Sequence, residues 1–298
     1  MSISLYTAVE LAREGDLIGM AEEAIRKTLE KTRLSPSSTI GDRQAAVSAA
    51  SGEAILATGH AATATAFAEE ALATATGRRS VAAAMEEASS ANATNEKSVA
   101  VALGSSSVAR AAGYGSTATT ADERSLAAVM GCRSVSAACG GDSVAVAAGE
   151  CAAAVATDQE AAAVTLRGYS VAVVTGYRAE AVARGKHSVA AATGEFATAT
   201  AAGAHGVAVA TDMSGRAVAA GPQTVAVSDE EAVAEHPTAV AVSTRRAKGC
   251  TGAALVLVKH GEDGTIAHVW AGVVGRDGIR PDTWYELRGE GLPVEARP

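Results

Sequence analysis

The side chains with the most chemical potential in this 298-residue chain are six histidines, four cysteines and a surplus of carboxylates that leaves a formal net charge of −8. His187 and His205 are 18 residues apart, and Tyr169 precedes them by the same interval. Imidazoles brought together by such spacing could bind a transition metal, provided a third ligand converges on them. The nearest candidate, Cys151, lies 36 residues before His187, which is too distant in any arrangement that stacks residues 18 apart. No metal site is therefore expected, and the histidines are read as a solvated ladder. Cys132, Cys139, Cys151 and Cys250 have irregular spacings and no Cys-x-x-Cys pair, so neither a zinc site nor a disulfide framework is expected. They read as reduced thiols in a cytoplasmic protein. No serine or cysteine nucleophile has a histidine and acid partner at a recognisable spacing, and no glycine-rich phosphate loop precedes a helix. The expectation is a chain without catalytic residues and without a cofactor. Thr63, Thr65, Thr74 and Thr76 resemble the threonine arrays of ice-binding faces, but Val, Ala and Leu replace threonine over most of the chain.

What positions these side chains is a tandem repeat. From Gln44 the chain repeats a nine-residue unit close to SVAxAxGxx, with starts nine apart from 44 to 224, which makes twenty-one units. Repetition of this kind predicts a solenoid. Alanine alone would favour helix. Here it alternates with Val and Thr at period two and is broken every nine residues by Gly, which is the pattern of short strands and tight corners. Positions three and five of the unit are small (Ala100, Ala102, Ala109, Ala111, Ala145, Ala147) and share one strand face. With aromatic residues at only 3%, that face must be a thin interior in which two sheets approach closer than the usual ~10 Å. Position seven is mostly Gly (Gly104, Gly113, Gly131, Gly140, Gly149, Gly176, Gly185, Gly194), as a corner with positive φ would require.

Charge decides how many units make one coil. If residues 18 apart stack, corner residues sort into an acidic column (Glu69, Glu70, Glu86, Glu87, Asp122, Glu123, Asp142, Asp158, Glu160, Glu195, Asp212, Asp229 and Glu230, against only Arg124 and Arg178) and a basic one (Arg78, Arg79, Lys97, Arg133, Arg167, Lys186, with His60, His187 and His205, against Glu96 and Glu150). A three-unit coil would mix the two. The prediction is thus an all-β, two-sheet parallel β-solenoid with 18-residue coils built from nine-residue units. The outward positions of the units that lead into the acidic edge carry Val99, Val101, Val135, Val171, Val173, Val189, Val207 and Val209, with no charge before Asp229. The alternate units carry Arg110, Glu180, Arg184 and Arg216. A soluble monomer seldom exposes a continuous apolar face, so burial against further copies or against the N-terminal helices is expected; one helix pair cannot cover ten coils, and the eight valines are therefore the candidate interface for a homo-oligomer.

The ends differ from the middle. Residues 1–40 form an expected N-terminal helical cap: Ile18, Ala21, Ile25 and Leu29 recur at helical spacing after Asp16, and Ser-Pro-Ser-Ser follows at 35–38. Residues 41–246 are the repeat domain, which loosens at EEAVAEHP and resumes at 239–243 after a step of 15 in place of 18. Residues 247–298 are read as a small C-terminal β-hairpin cap containing both tryptophans and a cluster of aromatic side chains. No basic start is followed by an apolar run, and no 18-residue apolar stretch occurs, so neither export nor a membrane is expected.

The repeat, the junction AKGCTGAALVLV (247–258) and the closing GIRPDTWYELRGEG (278–291) together resemble an uncharacterised family of bacterial and phage-borne proteins. Its members carry GDRSAAxxTG-type repeats before a cap with an AKGxxGxxLVL opening and a KADTWYxL ending. The resemblance covers about residues 41–291 and implies a phage or prophage origin, with no activity attached. Weaker likenesses are to the heads of trimeric autotransporter adhesins, whose repeat length differs, and to calcium-binding β-rolls, whose glycine-aspartate turns are replaced here by scattered Asp122, Asp158 and Asp212.

The functional expectation is a non-enzymatic structural or interaction protein, phage or prophage encoded, cytoplasmic or in the virion, that oligomerises through its Val/Thr face. A host or virion protein is the expected partner besides further copies, and nucleic acid is not. The alternative is a counter-defence binder, an acidic mimic of nucleic acid, that occupies a host protein.

Overall fold

A computed structural model of the chain describes residues 37–289 and 291–296. The helical pattern expected over the N-terminal residues lies outside them. The described residues contain strands, turns and corners and no helix. The chain divides into two compact units, the first ending at Val164 and the second beginning at Thr165. In each unit successive strands alternate between two parallel sheets, so that the fold is a two-sheet parallel β-solenoid.

In the first unit the Val/Thr sheet runs from Ala45–Ser48 through Thr63–Ala66, Val81–Ala84, Val99–Leu103, Thr117–Ala121 and Val135–Cys139 to Ala153–Thr157. The opposite sheet alternates with it, from Ser37–Ile40 to Val144–Ala147. The register is 18 residues: Val99 lies beside Thr117, and Thr117 beside Val135. In the second unit the Val/Thr sheet comprises Val171–Thr175, Val189–Thr193, Val207–Thr211, Val225–Ser228, Val240–Ser243 and Ala254–His260, again in parallel, closed by the antiparallel Ile266–Val273. Its opposite sheet runs from Glu180–Ala183 to Arg246–Gly249 and ends with antiparallel Tyr285–Arg288 and Leu292–Glu295.

The interior is the alanine face that the period-two pattern demands. Ala100, Ala102, Ala109, Ala127 and Ala145 in the first unit, and Ala181, Ala190, Ala199 and Ala208 in the second, are all completely buried. The gap between sheets is narrow enough for the buried Ser136 hydroxyl to donate to the carbonyl of Ala127 in the opposite sheet at 2.6 Å. Alanine removes little apolar area from water. Close packing and the continuous backbone hydrogen bonding of the ladders therefore carry a larger share of cohesion than in a core of Leu and Phe. The serine at position one has a definite job at the corners. Ser134 Oγ donates to the carbonyl of Gly113 at 3.0 Å and accepts from the Ser116 amide at 3.2 Å, supplying partners to corner backbone groups that no ladder reaches.

The corners carry the expected positive φ at position seven for Gly104, Gly113, Gly140, Gly176 and Gly194 but not for Gly131, Gly149 and Gly185, and they add a second left-handed position. Position nine holds the left-handed residue, mostly not glycine: Arg133 (φ 55), Cys151 (φ 53), Arg178 (φ 55) and His187 (φ 55). Positive φ at position seven follows the five-residue strands, at Gly140 (φ 125) or Asp122 (φ 96), where the Asp122 carboxylate also accepts from the next amide at 2.9 Å. After the four-residue strands Glu180–Ala183 and Leu126–Val129 the glycine answers a demand for space, although Arg167 and Glu86 hold the same position after Ala162–Thr165 and Val81–Ala84. A Cβ on Gly185 would meet the Arg167 carbonyl oxygen at 1.9 Å and one on Gly131 would meet that of Gly113 at 1.8 Å.

The stretch read as loosened, EEAVAEHP, contains a regular strand, Glu231–Ala234, paired in parallel with Arg216–Ala219. The step of 15 is a shortened coil: Arg216 faces Glu231, Val225 faces Val240 and Glu231 faces Arg246. Three residues are lost at a corner while the strand alternation survives, so inward alanines still fall on alanines. At the C-terminal end the two tryptophans do not pair ring to ring. Trp284 lies under the Arg246 guanidinium (4.8 Å to the ring centroid) and the Lys248 ammonium (5.0 Å), while Tyr285 is buried with its hydroxyl accepting from the Arg280 amide at 2.8 Å.

Candidate functional site

Strand alternation places position two, four and six side chains of the Val/Thr sheet on its outer surface, and the 18-residue register turns them into columns. In the first unit Val99, Thr117 and Val135 form one column and Val101, Thr119 and Ala137 the next. In the second unit Val171, Val189, Val207 and Val225 stack in one column, and Val173, Ala191, Val209 and Val227 in another. All eight candidate valines lie on the outer surface of this sheet: Val99, Val101 and Val135 in the first unit, Val171, Val173, Val189, Val207 and Val209 in the second. Val135 and Val171 are each 40% exposed, and the other six are half-buried by their stacked neighbours.

A third column stands at position six, of which the sequence places Leu103 on the outward face and the structure adds Phe67 and Met85. Phe67, Met85 and Leu103 recur at 18-residue intervals at position six, all exposed, and make a ridge of large apolar side chains on the first unit's face. The spacing was visible in the sequence, but three different residue types at one outward position do not announce themselves as a column. In the second unit the equivalent column is threonine, with Thr175, Thr193 and Thr211 in register and the Thr193 and Thr211 hydroxyls 3.4 Å apart.

The opposite sheet offers a different surface, most clearly in the second unit. Val182, Val218 and Val233, outward-facing, are only 6%, 7% and 3% exposed. Their strands carry Glu180, Arg216 and Glu231, and Glu231 pairs with Arg246 one coil on. In the first unit Arg110 is the charge on this surface; burial lowers its guanidinium to a pKa of about 10, and its Nε has no partner.

The corners hold the remaining candidate groups. Tyr169, His187 and His205 stack face to face, with centroids 5.1 and 4.8 Å apart and interplanar angles of 14° and 5°. Parallel rings at that spacing form a ladder, and among the described residues no three His, Cys, Asp or Glu side chains converge as a metal site. Arg78 pairs with Glu96 across coils at 3.0 Å, and Asp122, Glu123, Asp158 and Gln159 line a shallow open depression on the acidic edge. No described helix is long and apolar enough to cross a membrane. No family model, curated protein or solved structure matches the chain.

Proposed function

We propose that the chain is a non-enzymatic structural or interaction protein that associates with copies of itself through the outer face of the Val/Thr sheet, and that it is of phage or prophage origin. The observation that carries this reading is the run of outward side chains without a charge. At ~4.8 Å per strand and ~3.3 Å per residue, the seven strands of the first unit alone present a surface on the order of 500 Å². That is within the ~300–600 Å² range of the largest apolar patch on a typical soluble protein, a patch that is often functional. The filled alanine interior and the placement of reactive side chains on open corners support a role in assembly over one in catalysis.

The test is the state of association. Light scattering or sedimentation at micromolar concentration should give a dimer or larger species, and Val173→Asp with Val209→Asp should dissociate it, because an interface cannot bury unpaired carboxylates without a cost of several kcal/mol. Circular dichroism should remain β-rich in the double variant, since both side chains point away from the core. A monomeric wild type would overturn the interface. It would shift weight to the counter-defence reading, which the exposed carboxylates around the Asp122–Asp158 depression favour.

A further inference from the structure

The corner columns contain a diagonal relation independent of the sheet face. Residues eight and nine of equivalent corners on successive coils are 19 apart, so they lie on adjacent coils, one residue out of line. Two such pairs are in direct side-chain contact. Tyr114 and Arg133 meet through a 2.8 Å hydrogen bond from Nη1 to the phenol oxygen, with the guanidinium carbon 5.7 Å from the ring centroid. Tyr177 and Phe196 meet edge to face with centroids 5.7 Å apart. Cys132 and Cys151 form a third pair with the same separation, on the same edge as Tyr114 and Arg133 and one coil further along.

The backbone draws these cysteines together. The Arg133 amide donates to the Glu150 carbonyl at 2.9 Å, and Cys132 and Cys151 are the residues flanking that hydrogen bond. A strand spacing of ~4.8 Å combined with a one-residue offset of ~3.8 Å puts the Cα atoms about 6 Å apart, inside the range that a disulfide spans. Both thiols are free and exposed. Arg133, which precedes Cys151 in its corner column, is engaged with Tyr114 on the preceding coil.

We propose that Cys132 and Cys151 are an oxidative modification site that closes into a coil-to-coil disulfide by exchange with a low-molecular-weight disulfide of the glutathione type. One cysteine thiolate attacks the oxidant, the oxidant's S–S bond breaks, one small thiol leaves, and a mixed disulfide forms on the protein. The second cysteine thiolate attacks the protein sulfur of that mixed disulfide and expels the second small thiol. The two protons given up by the cysteines end on the two released thiols, and the two electrons reduce the oxidant. The product staples neighbouring coils on the basic edge, and Cys139, on the sheet face, and Cys250 stay outside the pair.

The experiment uses the full chain incubated with oxidised glutathione, acid-quenched, and titrated for thiols in denaturant. Titratable thiols should fall from the four in the sequence to two. Non-reducing digestion with trypsin and a glutamate-specific protease should yield residues 125–133 joined to residues 151–160, a fragment that excludes Cys139. The oxidised chain should melt at a higher temperature than the reduced one, and reductant should reverse the shift. Cys151→Ser should trap glutathione on Cys132, because nothing resolves the mixed disulfide. Four thiols remaining, stable glutathione adducts on both cysteines of the wild type, a link through Cys139 or Cys250, or a link between chains would each overturn the proposal.

Discussion

Replacing Ala145 with leucine tests the thin core directly. Ala145 is fully buried, in register with Ala127 on the neighbouring strand. The gap it faces can be gauged from Ser136, whose hydroxyl reaches the carbonyl oxygen of Ala127 in the opposite sheet at 2.6 Å. With a serine Oγ ~2.4 Å from its Cα, that oxygen lies about 5 Å from the Cα. Leucine methyl carbons extend ~3.9 Å from the Cα, so in a gap of that width they would stop roughly 1 Å from the opposite backbone, where carbon contacts need ~3.5 Å. The sheets must part locally by more than 2 Å, about, or the coil must open, which places the cost at the upper end of overpacking, ~3 kcal/mol or more. At ~2–4 °C per kcal/mol for a domain of this size, the melting temperature should fall by roughly 6–12 °C. Thermal melts followed by circular dichroism measure the shift, and hydrogen exchange should locate the loosening in the coils around Val144–Ala147. Lys186→Ala, at an exposed corner, is the matched control and should change stability by no more than ~0.5 kcal/mol. A wild-type melting temperature for Ala145→Leu would refute the thin core. The gap is not uniform along the first unit, since position three buries Ile55 near its start and position five buries Thr120, Val129 and, in the second unit, Val174.

Two further outcomes follow from the corners and the C-terminal end. Gly185→Ala should destabilise by ~1–3 kcal/mol or more, because its Cβ would lie 1.9 Å from the Arg167 carbonyl oxygen. Gly115→Ala, at φ +66 with only the flexible Lys97 side chain nearby at 3.7 Å, should cost about 1 kcal/mol, and equal effects in chemical denaturation would contradict the distinction between space and φ. Ending the chain after Ser243 removes Ala254–His260 and Ile266–Val273, leaving the Val240–Ser243 strand with an open edge; the truncated chain should aggregate, as sedimentation will report, and a truncated chain that stays soluble would mark the C-terminal segment as a separate module.

The period of two inside a period of nine was sufficient by itself to predict strands, an alanine interior and outward valines, because side-chain alternation is a local property of an extended backbone. Charge sorting at 18-residue intervals was sufficient to predict the two-unit coil, since a three-unit coil would have mixed the two signs on every edge. Neither reveals what depends on how one coil sits on the next. The glycine requirement at Gly131 and Gly185 comes from the preceding coil's carbonyl, and the shortened coil at Glu231–Ala234 keeps its alternation while losing three corner residues, so a search at period nine sees only disorder in the pattern. The diagonal contacts of Tyr114 with Arg133 and Tyr177 with Phe196 likewise follow from corner geometry, not from spacing. Cys132 and Cys151 look irregularly placed in the sequence because 19 is not a multiple of nine; stacking at 18 makes them diagonal neighbours, a relation that only the tertiary structure decides.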